Sequence, residues 1–293
     1  MSSKYRDLRT LFHISENDAR LVYEQRFNSK DAVRLNFQIS GNQAFYVMDS
    51  AIYELIIKAR DIDRTIGMLP QRAIEQYMDK CLIDEIVLTN GIEGVHSTRR
   101  EIDDALEMLA EKDKTGRFLG IVEKYHALRV RKTIPIATCA DVRALYDELV
   151  LDEVRADDPS HVPDGQFFRK EPVSVLDASH KPIHQGVEPE SKIIELMNQA
   201  LMILADEAIP ALVRVSVFHF LFAYIHPFYD GNGRTNRFIS SYVLSRSFSP
   251  IVGYRLSYSV KERIEKYYKG FSICEHPLNK GDITPFVISF SEL

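Results

Sequence analysis

The stretch ALVRVSVFHFLFAYIHPFYDGNGRTNR, residues 211–237, decides how the rest of the chain is read. From Pro210 to Ile225, apolar side chains occupy nearly every helical face (Leu212, Val213, Val215, Val217, Phe218, Phe220, Leu221, Phe222), which predicts a helix buried all round. Pro227 ends that helix by withholding an amide donor, and it restricts His226 before it. Gly231 and Gly233 open positive φ, so successive backbone N–H groups can converge on one point. A helix from about Arg234 to Arg246 follows directly, and its N-terminus adds free amides and partial positive charge. Arg234 and Arg237 lie one turn apart and can serve one face. Bidentate donors around an amide cradle suit a polyphosphate. Asp230, just before the cradle, offers one carboxylate for a Mg²⁺ ion held against those phosphates. His226, with a reference pKa of about 6.5, can accept a proton at neutral pH.

Competing readings of this segment fail on spacing. No Gly-Lys-Ser or Gly-Lys-Thr makes a Walker loop, and Asn236 stands where a dinucleotide fingerprint needs its third glycine. A metal hydrolase built on His219, His226 and Asp230 has no evident fourth ligand. A plain interhelical turn with a capping Asp and solvated arginines needs neither His226 nor both arginines.

Working outward, the chain has 293 residues, 37 basic and 42 acidic, for a net charge of -5. With 45% hydrophobic residues it has material for a sizeable core, and length alone suggests about two domains. The mild acidity argues against a protein that coats nucleic acid, although a small positive pocket is compatible with it. Cys81, Cys139 and Cys274 are far apart, fit no metal spacing, and read as core residues of a reducing compartment. The charged start, Met1 to Arg9, predicts no signal peptide, and the apolar run at 211–225 is too short to span a membrane. A cytoplasmic location is expected.

No internal repeat is present, so the elements are read in succession. Ser15-Glu16-Asn17-Asp18 predicts a helix over Ala19 to Phe27. Val33, Leu35, Phe37 and Ile39 alternate with polar residues before the turn Ser40-Gly41-Asn42 and the apolar Ala44 to Val47, which predicts a β-hairpin. Helical patterns follow at 50–66 and 71–89, and two more between Thr98 and Arg131, broken near Thr115-Gly116. From Asp157 to Gln185 the chain is rich in Pro, Gly, Asp and His. Short strand-like runs are predicted there at Gln166 to Arg169 and Val173 to Leu176, with a turn at Asp177-Ala178-Ser179. A helix over Pro189 to Glu207 and a helical tail from Ser259 complete a mainly α chain with two small hairpins and no βαβ alternation.

His226 to Arg237, HPFYDGNGRTNR, matches the Fic signature HPFxDGNGRxxR at every specified position, so the segment resembles the Fic family. That resemblance implies a helical Fic bundle with a β-hairpin flap, here behind an N-terminal α+β extension. Three segments are expected: 1–97, an extension with an inhibitory helix; 98–250, the catalytic domain; and 251–293, a helical segment completing the nucleotide site. Fic enzymes move AMP from ATP onto a protein hydroxyl. By resemblance His226 would be the base that deprotonates a target Ser, Thr or Tyr, and Asp230 would bind Mg²⁺. Gly231, Asn232 and Gly233 would cradle the anion, while Arg234 and Arg237 would hold the β- and γ-phosphates. The related Doc kinases carry Lys where this chain has Gly233, which favours adenylylation here. The run from Val173 through Ile183 resembles the flap that aligns the target backbone by strand addition, with Val175 and Ile183 as its contacts. Tyr268 and Asn279 would serve the adenine.

A second site is read at Thr89-Asn90-Gly91-Ile92-Glu93-Gly94. Glu93 lies near a helix C-terminus, where the dipole disfavours a carboxylate, and an unfavourable local choice can mark function. Thr89, Glu93 and Gly94 match the family's inhibitory pattern [ST]xxxE[GN]. That glutamate would pair with Arg237 and displace the γ-phosphate from in-line geometry. The expected activity is therefore a protein adenylyltransferase inhibited by its own Glu93, with ATP as co-substrate and Mg²⁺ as cofactor. The alternatives are a deAMPylase, in which Glu93 orients water, and a non-catalytic nucleotide-binding regulatory module. The expected partner is a protein with an acceptor hydroxyl, not a membrane or a nucleic acid; a homodimer that buries the inhibitory helix is compatible with the reading. The chain stops at Phe290-Ser291-Glu292-Leu293, inside a helical pattern, which leaves room for a further C-terminal segment.

Overall fold

A computed structural model describes residues 5–109, 116–176 and 182–293. Its elements, in chain order, begin with α1 (Leu8–Ile14), α2 (Glu16–Phe27), β1 (Ala32–Ile39), β2 (Asn42–Val47), α3 (Ser50–Gly67) and α4 (Gln71–Ile92). They continue with α5 (Arg99–Met108), α6 (Leu119–Arg129), α7 (Cys139–Tyr146), a π-helical segment over Asp147–Leu151, α8 (Asp152–Asp157), β3 (Ser174–Leu176) and β4 (Pro182–Gln185). The last are α9 (Glu190–Ala205), α10 (Ala211–Ile225), α11 (Asn232–Ser247), α12 (Pro250–Gly253), α13 (Leu256–Glu262), α14 (Ile264–Cys274) and α15 (Thr284–Ser291). The protein is mainly α, and among the described residues its two sheets are antiparallel hairpins, β1–β2 and β3–β4.

Local chemistry explains most boundaries. The Ser15 side chain accepts from the Asp18 amide, so α2 starts at Glu16, three residues ahead of the expected Ala19. Thr98–Glu101 and Thr138–Asp141 are complete capping boxes that start α5 and α7. In β1 the alternation holds: Leu35, Phe37 and Ile39 are buried and the residues between them exposed. The run Gln166 to Arg169, expected as a strand, is irregular loop. Its Gln166, Phe167 and Phe168 amides all donate to the Glu190 carboxylate at the start of α9, so a side chain takes the donors a sheet would need. The turn expected at Asp177-Ala178-Ser179 lies outside the described residues. The helices between Cys139 and Asp157 were not anticipated from sequence.

At the centre lies α10, packed against α9, α11 and α15, with buried side chains on every face. One continuous cluster of buried apolar residues runs from Leu35 to Phe290, so the three expected segments share a core. The termini are also interlocked. The Phe45 amide of β2 donates to the Gly281 carbonyl, and the Ile283 amide donates back to Phe45. Cys81, Cys139 and Cys274 are all buried. Among the described residues no helix is long and apolar enough to cross a membrane.

Candidate active site

The loop between α10 and α11 is fixed from three sides before any ligand is considered. Phe228 is buried, stacks on Tyr146 of α7 with ring centroids 3.7 Å apart, and meets Phe168 edge-on. The Asn232 side chain accepts from the Phe228 amide at 2.9 Å and donates to the Phe228 carbonyl at 2.8 Å, closing the turn like a staple. Arg169, fully buried, donates to three carbonyls, those of His226, Glu171 and Val187, at 2.7 to 2.9 Å. It joins the base of the β3–β4 hairpin to the end of α10.

His226 itself caps α10 in the left-handed region, at φ 51°. That conformation is costly for a residue ahead of proline, and it persists because the surrounding bonds over-determine it. Burial lowers the pKa of its imidazole to about 3, with help from the nearby His184 and Arg169 charges. The ring is therefore neutral at physiological pH.

The cradle has the expected residues, with one shift of register. Helix α11 begins at Asn232, not at Arg234, because Gly231 takes φ 75° as its N-cap. The amides of Asn232 and Gly233 are thus the free first-turn donors of the helix. Arg234 and Arg237 point from the same helix, and both are 1% exposed. The guanidinium of Arg237 donates to the Thr89 hydroxyl at 2.8 Å and the Thr89 carbonyl at 3.0 Å, and pairs with the Glu93 carboxylate at 2.7 Å. A Cβ placed on Gly233 would lie 2.1 Å from that carboxylate. Glu93 therefore rests in the cradle itself, on the backbone that an anion would touch. Its position as C-cap of α4 is unfavourable for a carboxylate, and Arg237 supplies the offsetting charge. Burial opposes the Arg237 charge, yet the Glu93 contact leaves its pKa raised. Gly94, at φ 76°, then turns the chain away, and the Val95 amide returns to the Asn90 carbonyl.

Asp230 is half-buried and accepts from the Gly231 amide. Among the described residues no group of three or more His, Cys, Asp or Glu could cage a metal. One carboxylate beside an anion cradle fits Mg²⁺, which keeps waters and takes phosphate oxygens, and does not fit an all-protein zinc or calcium cage.

Around this centre, β3 pairs with β4 so that Val175 lies opposite His184. Val175 is half-buried and Ile183 is 59% exposed. The two rings of His184 and His226 have centroids 6.4 Å apart. His184 also bonds the Tyr224 carbonyl at 2.8 Å and Glu275 at 3.0 Å, tying the hairpin to the C-terminal segment. Tyr268 is half-exposed, packs edge-on against Tyr267, and has its hydroxyl pKa raised by burial and then by the Glu93 charge. Asn279 is engaged inside the protein. It is fully buried, accepts from the Leu8 amide at 3.1 Å and donates to the Asp282 carbonyl at 2.5 Å, so its amide docks α1 onto the C-terminal segment.

Two residues of the site carry no signal in the sequence. One is Arg169. The other is Glu153 of α8, whose carboxylate meets Arg234 at 2.6 Å. Both come from segments whose relation to the motif is set only by tertiary packing; the three capped amides of 166–168 and the π-helical turn at 147–151 are visible only once folded.

Residues 137–244 match the Fic/DOC family. Over 144 residues the chain is 30% identical to protein adenylyltransferase fic-1 of Caenorhabditis elegans, which covers 46% of this chain and 26% of that protein. Over 69 residues it is 39% identical to protein adenylyltransferase Fic of Drosophila melanogaster, covering 24% of this chain and 12% of that one. The chain thus spans about a quarter or less of the curated relatives it matches. In structure it resembles a Fic family protein from Desulfovibrio desulfuricans, with TM-score 0.64, 22% identity, and 84% and 72% of the two chains covered. It also resembles Fic-1 from C. elegans, with TM-score 0.56, 20% identity, and 82% and 68% covered. At these identities the structural likeness establishes the fold.

Proposed function

Residues 137–244 of this chain match the Fic/DOC family, and from that premise we propose that it is a protein adenylyltransferase held inactive by its own Glu93. The observation that carries the reading is the Glu93 carboxylate lying at once on Arg237 and against Gly233, where a nucleotide phosphate would sit. A carboxylate and a phosphate cannot share that position, so the same contact that identifies the anion site also closes it.

In the open state the reading assigns each residue a role. Arg234, Arg237 and the first amides of α11 hold the phosphates of ATP. Asp230 would hold Mg²⁺, which supplies charge neutralisation between phosphates. The neutral His226 ring accepts the proton of the attacking hydroxyl, whose oxygen bonds the α-phosphorus as the bond to the β-phosphate breaks and pyrophosphate leaves. Phosphate charge nearby stabilises the resulting imidazolium and raises the pKa from its resting value, moving it toward the range useful to a base. The outer edges of β3 and β4 offer backbone groups that can order an extended target segment, with Val175 and Ile183 on the hairpin beside it. Tyr268 lines the base side.

The test is incubation with Mg²⁺ and each nucleoside triphosphate, followed by mass spectrometry. The reading expects a gain of AMP on the protein in Glu93→Gly, little in wild type, and none when His226→Ala is added. A gain of phosphate would reject adenylylation. Loss of AMP from a pre-adenylylated substrate, dependent on Glu93, would assign hydrolysis instead.

A further inference from the structure

The first motif arginine has its own carboxylate. Arg234 Nη1 donates to Glu153 Oε2 at 2.6 Å, and the arginine is 1% exposed. The far side of the same guanidinium is unused: Arg234 Nε is buried and has no hydrogen-bond partner among the described residues. A buried guanidinium with one end gripped and a donor at the other end empty is a side chain arranged for an absent acceptor.

The segment that presents Glu153 is shaped for this. Between α7 and α8 the chain passes through the π-helical turn Asp147–Leu151, a rare geometry that re-aims the residues after it. Tyr146, just before that turn, and Val150, within it, press on the cradle: a Cβ at Gly231 would lie 3.1 Å from the Tyr146 ring and 2.9 Å from Val150. The wall that touches the cradle is thus the wall that carries Glu153. On its outer side Glu153 meets Arg117 at 3.8 Å, and Arg117 donates to the His96 carbonyl, just beyond the Glu93–Gly94 turn. Burial raises the pKa of the Glu153 carboxyl despite Arg234, so the carboxylate is retained at a cost in desolvation.

We propose that Glu153 is a positioning residue for nucleotide binding: it holds the Nη1 end of Arg234 so that the Nε end faces the β/γ-phosphates, pre-paying the ordering of a long side chain. The inference rests on the adenylyltransferase reading of this site. Rigid pre-orientation of a bidentate donor raises affinity by removing an entropy cost from the binding step. By contrast, a carboxylate that merely competed with phosphate would lower affinity.

The experiment is calorimetric titration of a non-hydrolysable ATP analogue with Mg²⁺ into Glu93→Gly, and into that variant carrying Glu153→Gln, Arg234→Gln, or both. Glutamine keeps the volume and one acceptor of Glu153, and melting temperatures check that each variant is folded. The expected result is roughly tenfold weaker binding for Glu153→Gln, a comparable or larger loss for Arg234→Gln, and no further loss in the double variant. Unchanged or tighter binding with Glu153→Gln overturns the proposal, as do losses that simply multiply. Failure of Glu93→Gly itself to bind the analogue would instead reject the reading of the site as a nucleotide cradle.

Discussion

Two side chains carry most of the local argument, and each makes a measurable claim. Arg169 donates from all three guanidinium nitrogens to the carbonyls of His226, Glu171 and Val187, inside the protein. Replacing it with alanine leaves buried carbonyls unpaired, so Arg169→Ala should lose about 3 kcal/mol or more in urea unfolding; a loss below 1 kcal/mol would contradict its role as keystone. His226 has its pKa pushed down to about 3 by burial. The unfolded chain therefore takes up the proton first as pH falls, and the stability this residue confers is complete above about pH 6.5 and declines toward pH 3. Wild type should lose up to about 1.4 kcal/mol per pH unit relative to His226→Gln below pH 6.5, read from paired denaturation curves. A pH-independent difference between the two would reject the depressed pKa.

At the scale of elements, the question is how α4 releases its carboxylate. Two turns before Glu93, Glu85 is fully buried; both its oxygens take the Ser257 amide at 2.9 Å and one takes the Ser257 hydroxyl at 2.6 Å. Burial pushes the Glu85 carboxyl up to about 7, against those bonds. This anchor on α13 makes a swing of the whole helix expensive, so release belongs to the last turn, Thr89 to Gly94. Hydrogen exchange should show Gly91–Val95 losing protection in Glu93→Gly while Leu82–Ile86 keeps it; equal loss along α4 would mean the helix leaves as a unit. The same scale explains what was legible in the sequence. The motif loop could be read because its amides, arginines and aspartate are contiguous, and the β1–β2 hairpin because its alternation is regular. Gln166 to Arg169 misled because its apolar pair Phe167-Phe168 serves as a loop wedge, with Glu190 taking the amides. The contacts of Asn279 were not legible because a buried side chain's partner, here the Leu8 amide 271 positions away, is set by the fold alone.

Across the molecule, the two ends of the chain close on one buried carboxylate. Asp282 is fully buried; Tyr5 donates to it at 2.7 Å and Arg26 at 3.2 Å. Removing the cation strands a buried charge, so Arg26→Ala should cost about 3 kcal/mol at neutral pH. With one core from Leu35 to Phe290, that loss should lower a single unfolding transition seen alike by far-ultraviolet circular dichroism and tyrosine fluorescence; two separated transitions would contradict a shared core. The whole arrangement then serves one contact, Glu93 on Arg237. Its most direct test is the intact mass of wild type and Glu93→Gly after incubation with ATP and Mg²⁺. The account expects AMP on Glu93→Gly, far less on wild type, and none on Glu93→Gly carrying His226→Ala. Equal labelling of wild type and Glu93→Gly would contradict it.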